Sequence, residues 1–229
     1  MREPPADLPL TTLRDVLATN YELLASEVAF LPIGHDAHAW VFRADTRDGA
    51  SYFLKVRRRI SNEAGLVVPL FLHDRGVARV VAPLATKHGT LWATSGDYAL
   101  VVDPFVSGVT GMAAGMSDRQ WIEYGATLRA IHEVAPSTAV EALLRPDDFA
   151  PAGAAEIRAL DEHVSSGTFD DPGRSFIAEF WLARREFILS LVARAQALGR
   201  RLATAERPLV LCHADIHTNN VLLDGNDHV

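Results

Sequence analysis

Apolar and polar residues alternate over short stretches in the first half of the chain, and this pattern predicts β-strands. The predicted strands are 39–44, 51–56, 90–94 and 98–102. Asp48-Gly49 provides a turn between the first two strands, and Gly96-Asp97 one between the last two. Residues 62–73 have the apolar spacing of a helix. The first half therefore predicts a small antiparallel sheet with one helix.

The second half has the apolar spacing of helices. Apolar residues recur every three or four positions over 118–134 and 175–202, and the Pro- and Gly-containing stretch between them predicts loops around a short helix near 154–163. The stretch 104–115 is rich in Gly, Ser and Thr. We therefore place a boundary there and predict an α+β protein with two domains, residues 1–103 and residues 104–229.

The end of the chain predicts a buried strand over 208–212, a polar loop over 213–220 and an apolar stretch over 221–223 that runs into an Asp224-Gly225 turn. This turn predicts a hairpin whose return strand begins at His228-Val229. Because the given sequence stops inside that hairpin, we expect it to be a C-terminally truncated fragment.

Composition narrows the range of functions. The net charge of −7 excludes a basic nucleic-acid module, because nothing would compensate the phosphate charge. No apolar leader and no apolar stretch long enough to span a bilayer occur, so we expect a cytoplasmic protein without a membrane partner. Residues 1–105 carry 11 basic and 12 acidic groups, whereas residues 106–229 carry 11 and 17. An acidic second half suits a cationic small molecule, although solvated acidic helix faces give the same count.

The strongest chemical signal is the string His213-Ala214-Asp215-Ile216-His217-Thr218-Asn219-Asn220, which has an H-x-D-x-x-x-x-N pattern directly after the predicted strand. An Asp in a fixed loop can orient a substrate hydroxyl, and an Asn five residues later can offer its amide oxygen to Mg²⁺ bound to nucleotide phosphates. His213 would brace the loop. Asp and Asn also form ordinary turns, which leaves a purely structural interpretation open.

Lys55 is a second candidate, because it lies in the middle of a strand with apolar neighbours. Such a lysine can pair with nucleotide phosphates while an acid such as Glu63 on the following helix holds it in position. A solvent-facing lysine on a half-buried strand is the alternative. Gly34 precedes the first predicted strand, where a loop over the nucleotide would lie, but an ordinary turn also explains this glycine.

Two histidine pairs, His35 with His38 and His213 with His217, raise the question of a zinc site. The helical H-E-x-x-H zinc motif needs Glu after the first His, and Ala214 stands there instead. The lone cysteine, Cys212, is interpreted as a small core residue rather than a nucleophile.

The order of these parts resembles the aminoglycoside phosphotransferase family, which has a protein-kinase-like fold, and the resemblance covers roughly residues 30–229. It implies a sheet-containing N-terminal lobe, a mainly helical C-terminal lobe, and ATP or GTP with Mg²⁺ as cofactors. The assignments implied are a catalytic Asp215, a metal-binding Asn220, a phosphate clamp of Lys55 with Glu63, and a hinge over 101–106 that binds adenine through its backbone. The hinge includes Val102, Asp103 and Phe105. The helices around 154–202 resemble the spectinomycin-directed branch.

Family members carry a second metal-binding aspartate, and its counterpart would fall just beyond Val229. Asp224 and Asp227 lie in the turn and do not match its place, so we expect the chain as given to transfer phosphate poorly. Substrates in the family are hydroxylated small molecules, many of them cationic antibiotics. A kinase-like binding module without catalysis, and a metabolite kinase of the choline or homoserine type, remain alternatives. The sequence does not choose the acceptor, the nucleotide or the oligomeric state.

Overall fold

A computed structural model describes residues 3–34, 38–60, 62–206, 208–226 and 228–229. Contacts between Cα atoms divide the chain into two compact units. The first contains Met1–Leu144 and Val210–Val229, and the second contains Arg145–Leu209. The predicted domain boundary after residue 103 falls inside the first unit, and the division into two lobes stays a prediction.

The first unit is built around one five-stranded antiparallel sheet. Its strands are β1 (Ala25–Leu31), β2 (Ala39–Thr46), β3 (Ser51–Arg57), β4 (Ala93–Ser95) and β5 (Tyr98–Pro104), in the spatial order β1-β2-β3-β5-β4. Helix α1 (Leu10–Tyr21) packs its buried side chains Leu13 and Leu17 into the core of the sheet. That core also contains Phe42, Leu54, Val56, Leu100 and Val102, all 0% exposed. One sheet face is therefore filled, and β2, β3 and β5 turn their alternate residues to the other face.

The remaining helices of the first unit are α2 (Ala64–Asp74), α3 (Gly111–Ala114), α4 (Asp118–Glu133) and α5 (Thr138–Glu141). Ser117 and Gln120 form a capping box that fixes where α4 begins. A second, smaller core joins Leu72 of α2 to Ile131 of α4 and to Leu211, which lies just before the polar loop. This core anchors the start of the loop that contains Asp215.

A two-stranded sheet connects the segment after β5 to the end of the same loop. Strand β6 (Gly108–Thr110) pairs antiparallel with β7 (Leu222–Asp224). Gly108 is required there, because a Cβ atom at this position would lie 2.3 Å from the Leu223 carbonyl oxygen. The Gly111 N–H extends the pairing by donating to the Val221 carbonyl at 2.9 Å.

The second unit consists mainly of α6 (Ala154–Ser166) and α7 (Pro172–Ala203). Asp161 of α6 is 6% exposed and accepts both guanidinium hydrogen bonds of Arg185 at 2.8 Å and the Trp181 indole N–H at 3.0 Å. Gly199 allows close packing, since a Cβ there would lie 2.0 Å from the Phe149 carbonyl oxygen. One buried carboxylate thus fastens the two helices together.

The α+β class and the predicted central strands and long helices are confirmed, with shifts at their ends. Two other expectations are wrong. The first 103 residues contain two helices rather than one, because α1 and the strand β1 precede the predicted sheet. Residues 208–212 form no strand, and Leu209 is 68% exposed. β7 pairs with β6, which the sequence did not predict. The Asp224 turn is present, and the Asp224 N–H donates to the His228 carbonyl at 2.9 Å across it, so the predicted return strand at His228-Val229 stays a prediction. No described helix is long and apolar enough to cross a membrane.

Candidate active site

The loop that carries Asp215 is held at both ends by buried apolar residues. Leu211 precedes it, Val221 and Leu223 follow it, and each is 5% exposed or less. Between them, Ala214 adopts the left-handed conformation with φ 62°, which a non-glycine residue rarely occupies. Conformations of this kind persist only where the surrounding structure imposes them, and they are frequent at functional sites.

Two side chains of the loop hold the Asp215 carboxylate. The Asn220 amide N–H₂ donates to Asp215 Oδ2 at 2.9 Å and to the Asp215 carbonyl at 3.0 Å. His217 Nε2 lies 3.4 Å from Asp215 Oδ1, and His217 Nδ1 accepts the Asn219 N–H. Since Nδ1 is an acceptor, the neutral ring carries its proton on Nε2, facing the carboxylate. Asp215 is nevertheless 71% exposed, so it is fixed in orientation and open to solvent.

His217 was missed by the sequence analysis, which assigned the bracing role to His213. His213 is exposed, and within the described ranges no hydrogen bond or ion pair involves it. The spacing of Asp215 and His217, two positions apart in a loop that follows the buried Leu211, was the sequence signal that could have predicted their contact. The role predicted for His213 stays untested.

Helix α4 brings Tyr124 near Asp215. Burial raises the pKa of the Tyr124 hydroxyl, and the negative charge of Asp215 raises it further. The Trp121 ring lies beside Tyr124 with ring centroids 6.3 Å apart and planes tilted by 49°, and Trp121 is 49% exposed. The sequence predicts a core helix here that could also line a pocket, and the structure adds that Tyr124 of this helix lies near Asp215.

Lys55 lies on the sheet face that α1 leaves open. It pairs with Val41 of β2 and Val101 of β5, whereas its neighbours Leu54 and Val56 point into the filled core. Glu63 is exposed and precedes α2, where its carbonyl accepts the Leu66 and Val67 N–H groups. Pairing of Glu63 with Lys55 stays a prediction.

Within the predicted hinge over 101–106, two backbone groups are already bonded inside the protein. The Val102 carbonyl accepts the Leu84 N–H at 2.7 Å, and the Phe105 N–H donates to the Ser51 carbonyl at 3.1 Å. Backbone groups alternate in direction along an antiparallel strand, so Asp103 and Phe105 face β3 while Pro104 and Val106 face away. No hydrogen bond of the Pro104 carbonyl or the Val106 N–H to another described residue is found.

Arg43 fixes the position of Phe105. The Arg43 guanidinium carbon lies 4.6 Å from the Phe105 ring centroid, and Arg43 also bonds Asp45 and the Ser51 hydroxyl. Gly34, predicted in the nucleotide loop, lies between β1 and β2 with φ 92°, a conformation that favours glycine. His35 lies outside the described residues, so the first histidine pair receives no structural account.

Asn220 is the predicted metal ligand of the Asp215 loop. Among the described residues, no group of three His, Cys, Asp or Glu side chains is arranged to hold a metal ion. Asn220 uses its amide nitrogen on Asp215, which leaves its amide oxygen for another partner. A single oxygen ligand fits Mg²⁺, which usually keeps several waters and takes further oxygens from phosphates.

The comparisons with known proteins agree with this arrangement. The sequence pattern of the phosphotransferase enzyme family (APH) matches residues 29–229. A crystal structure of spectinomycin phosphotransferase APH(9)-Ia with ADP and spectinomycin is 25% identical with a TM-score of 0.78, and the match covers 95% of this chain and 66% of that one.

Two further structures share the fold. Amicoumacin kinase hAmiN in complex with AMP-PNP, Ca²⁺ and Ami has a TM-score of 0.59 at 16% identity, covering 95% of this chain and 61% of that chain. An aminoglycoside phosphotransferase from Alicyclobacillus acidocaldarius has a TM-score of 0.60 at 16% identity, covering 100% and 65%. The chain thus spans about two thirds of the length of these proteins. None of the curated proteins matches it. The chain belongs to the phosphotransferase enzyme family, with its protein-kinase-like fold.

Proposed function

We propose that this protein is an ATP-dependent phosphotransferase that acts on a hydroxyl group of a small cationic molecule, with Asp215 orienting that hydroxyl. The observation that carries the proposal is the state of the Asp215 side chain. Asn220 donates a hydrogen bond to Oδ2 and His217 Nε2 lies 3.4 Å from Oδ1, yet the side chain is 71% exposed. A carboxylate that is fixed but accessible can accept a hydrogen bond from an incoming hydroxyl and its proton during transfer.

The nucleotide is assigned to the open face of the sheet. Lys55 projects from that face between Val41 and Val101, where its ammonium group can pair with phosphate oxygens. At the end of β5, the Pro104 carbonyl and the Val106 N–H offer one acceptor and one donor to the edge of a purine. The ADP and AMP-PNP in the two related structures support an adenine nucleotide.

Asn220 is proposed as a magnesium ligand through its amide oxygen. Bound Mg²⁺ would neutralise phosphate charge during transfer. The hydrogen bonds from Asn220 to Asp215 link the residue that holds the metal to the residue that holds the acceptor.

The acceptor class is proposed from charge and from the similarity to APH(9)-Ia. The second half of the chain has 17 acidic and 11 basic groups, which favours a cationic acceptor. The similar protein APH(9)-Ia was crystallised with spectinomycin, an aminocyclitol antibiotic. We therefore propose an aminoglycoside or aminocyclitol as the acceptor.

The test is magnesium-dependent release of the nucleoside diphosphate, ADP from ATP or GDP from GTP, by the protein expressed from its complete coding sequence. Spectinomycin, a deoxystreptamine aminoglycoside, choline and homoserine are offered in turn, each with ATP and with GTP. Stimulation by a cationic antibiotic and ATP, accompanied by a phosphorylated product in the mass spectrum, supports the proposal. Stimulation by choline or homoserine alone contradicts the acceptor class. Nucleotide binding without turnover on a wide panel favours the non-catalytic binding module.

A further inference from the structure

Asp103 occupies a place on β5 that the function described above does not use. It is paired with Phe53 of β3, and the next residue on the same face of β5, Val101, is paired with Lys55. Side chains alternate between sheet faces, so Asp103 and Lys55 project from the same open face in diagonal positions. Diagonal neighbours on an antiparallel pair lie within reach of long side chains.

The Asp103 carboxyl group lies in an unfavourable place for an isolated charge. Burial raises its pKa to about 6, and the positive charge of Lys55 opposes that rise. Within the part of the chain that the structure describes, no hydrogen-bond donor contacts its oxygens. A carboxylate that is removed from water without hydrogen bonds destabilises the folded protein, and a nearby ammonium group is what offsets that cost.

The other charged or titratable groups around Asp103 either contact other residues or lie farther from Asp103 along the sheet. Arg43 of β2 shares the open face but pairs with Asp45 and covers the Phe105 ring. Tyr21 of α1 donates its hydroxyl to the Leu100 carbonyl, and the charge of Asp103 adds to the burial that raises the Tyr21 pKa to about 12. Arg57 lies farther along β3, opposite Ala99, and β4 has no titratable side chain. Lys55 is therefore the cation that Asp103 faces.

We propose that Asp103 is a positioning residue for Lys55. In the nucleotide-free protein, the Asp103 carboxylate is the counter-ion of the Lys55 ammonium group. When nucleotide phosphates take over as the counter-ion of Lys55, Asp103 takes up a proton. The inference rests on the proposed nucleotide site. In this step the Asp103 carboxylate takes one proton from solvent and becomes a carboxylic acid, while Lys55 keeps its positive charge.

This proton uptake makes the affinity of the protein for nucleotide depend on pH. Phosphate charge beside Lys55 and a base stacked near the sheet both disfavour the Asp103 carboxylate, so nucleotide binding raises the pKa of Asp103 above its value in the free protein. The nucleotide then binds better to the protonated protein. Its affinity falls as pH rises above about 6, and it levels off once pH exceeds the pKa in the complex.

The experiment measures the Kd of Mg²⁺-AMP-PNP between pH 6 and pH 8 for the protein, Asp103→Asn and Asp103→Glu. The control is Asp97→Asn, in the exposed β4–β5 turn. We expect the Kd of the unmodified protein to rise about three- to ten-fold more over this range than that of Asp103→Asn, since a pKa shift of one unit is a factor of ten. Titration of the nucleotide itself is common to all four proteins and cancels in the ratio.

Calorimetry in buffers of different ionisation enthalpy counts the protons directly. Net proton uptake at pH 7 should be lost in Asp103→Asn and kept in Asp103→Glu and Asp97→Asn. Parallel pH profiles with equal proton uptake in the protein and Asp103→Asn would overturn the inference, and so would a loss of affinity by the same factor at every pH. If Asp103→Asn does not fold, the proton count of Asp103→Glu decides. Absence of nucleotide binding by the unmodified protein overturns the proposed function itself.

Discussion

Residues of one short loop determine the orientation of the Asp215 carboxylate. Asn220 reaches back five positions to bond both the side chain and the backbone of Asp215, while His217 faces its other oxygen. Because these contacts are local in sequence, the loop needs only its buried ends, Leu211 and Val221, to be held by the rest of the unit. The orientation of the Asp215 carboxylate thus depends on few side chains.

Replacement of His217 tests which histidine supports Asp215. We expect His217→Phe to lower kcat by about two- to five-fold, because His217 Nε2 lies 3.4 Å from Asp215 Oδ1 and an exposed pair of this kind contributes about 0.2–1 kcal/mol. The nucleotide Kd should change little. Steady-state kinetics of His217→Phe and His213→Phe, side by side, provide the measurement. A larger loss of kcat in His213→Phe would instead support the bracing role predicted from the sequence.

Secondary-structure elements connect this loop to the hinge. The predicted hinge leads directly into β6, and β6 pairs with β7, which follows the 3₁₀ turn Thr218–Asn220. The backbone pairing of these two three-residue strands therefore connects the predicted hinge to the loop that contains Asp215. The close approach of Gly108 to Leu223 is the tightest point of that pairing.

Gly108→Ala should break this pairing. A Cβ atom would lie 2.3 Å from the Leu223 carbonyl oxygen, and the backbone must move to avoid it. We expect a loss of about 2–3 kcal/mol in the free energy of unfolding, measured by urea denaturation. The matched control is Gly125→Ala in α4, where a Cβ meets no atom within 4 Å. That change should stabilise the protein by about 0.5–1 kcal/mol. Equal effects of the two changes would contradict the role of β6 and β7.

In the second unit, Asp161 gives a pH-dependent contribution to stability. Hydrogen bonds from Arg185 and then Trp181 hold the pKa of Asp161 below its usual value. A depressed pKa in the folded state means that the stabilisation is present above the unfolded pKa of about 4 and is lost as pH falls through the folded value. Asp161→Asn should therefore lower Tm at pH 7, and the difference should close at acid pH. Exposed Asp170 changed to Asn is the control, and a Tm difference that stays constant with pH would refute this origin.

Local patterns were enough to predict the elements whose side chains alternate or repeat clearly, such as β3, β5 and α4. Helix α1 was missed although Leu13, Val16 and Leu17 have helical spacing, because the helix begins after Pro9 without a side-chain cap or an acidic first turn that would mark its start. The failed strand over 208–212 was a different error: an apolar run does not by itself provide a neighbouring strand to pair with. The partner of β7 depends on pairing with the distant segment Gly108–Thr110, which no local pattern contains. The contact of His217 with Asp215 is local, but the left-handed backbone of Ala214 between the buried ends of the loop cannot be read from the residue types alone.

At the scale of the whole molecule, the match over residues 29–229 assigns the family, and the charge of the second half supports a cationic acceptor. Lys55, the hinge and the Asp215 loop all belong to the same compact unit. The chain spans about two thirds of the related structures, so the acceptor test uses the complete coding sequence.

The most direct test of the central claim compares the protein with Asp215→Asn in magnesium-dependent phosphoryl transfer to its acceptor, with AMP-PNP affinity measured on the same preparations. Asn219→Ala, a change of the neighbouring loop residue, is the control. We predict that Asp215→Asn lowers kcat by about 100-fold or more and changes the nucleotide Kd by less than about two-fold, because the carboxylate acts on the acceptor hydroxyl. Retention of most of the turnover, or an equal loss of turnover and nucleotide affinity, would contradict the account.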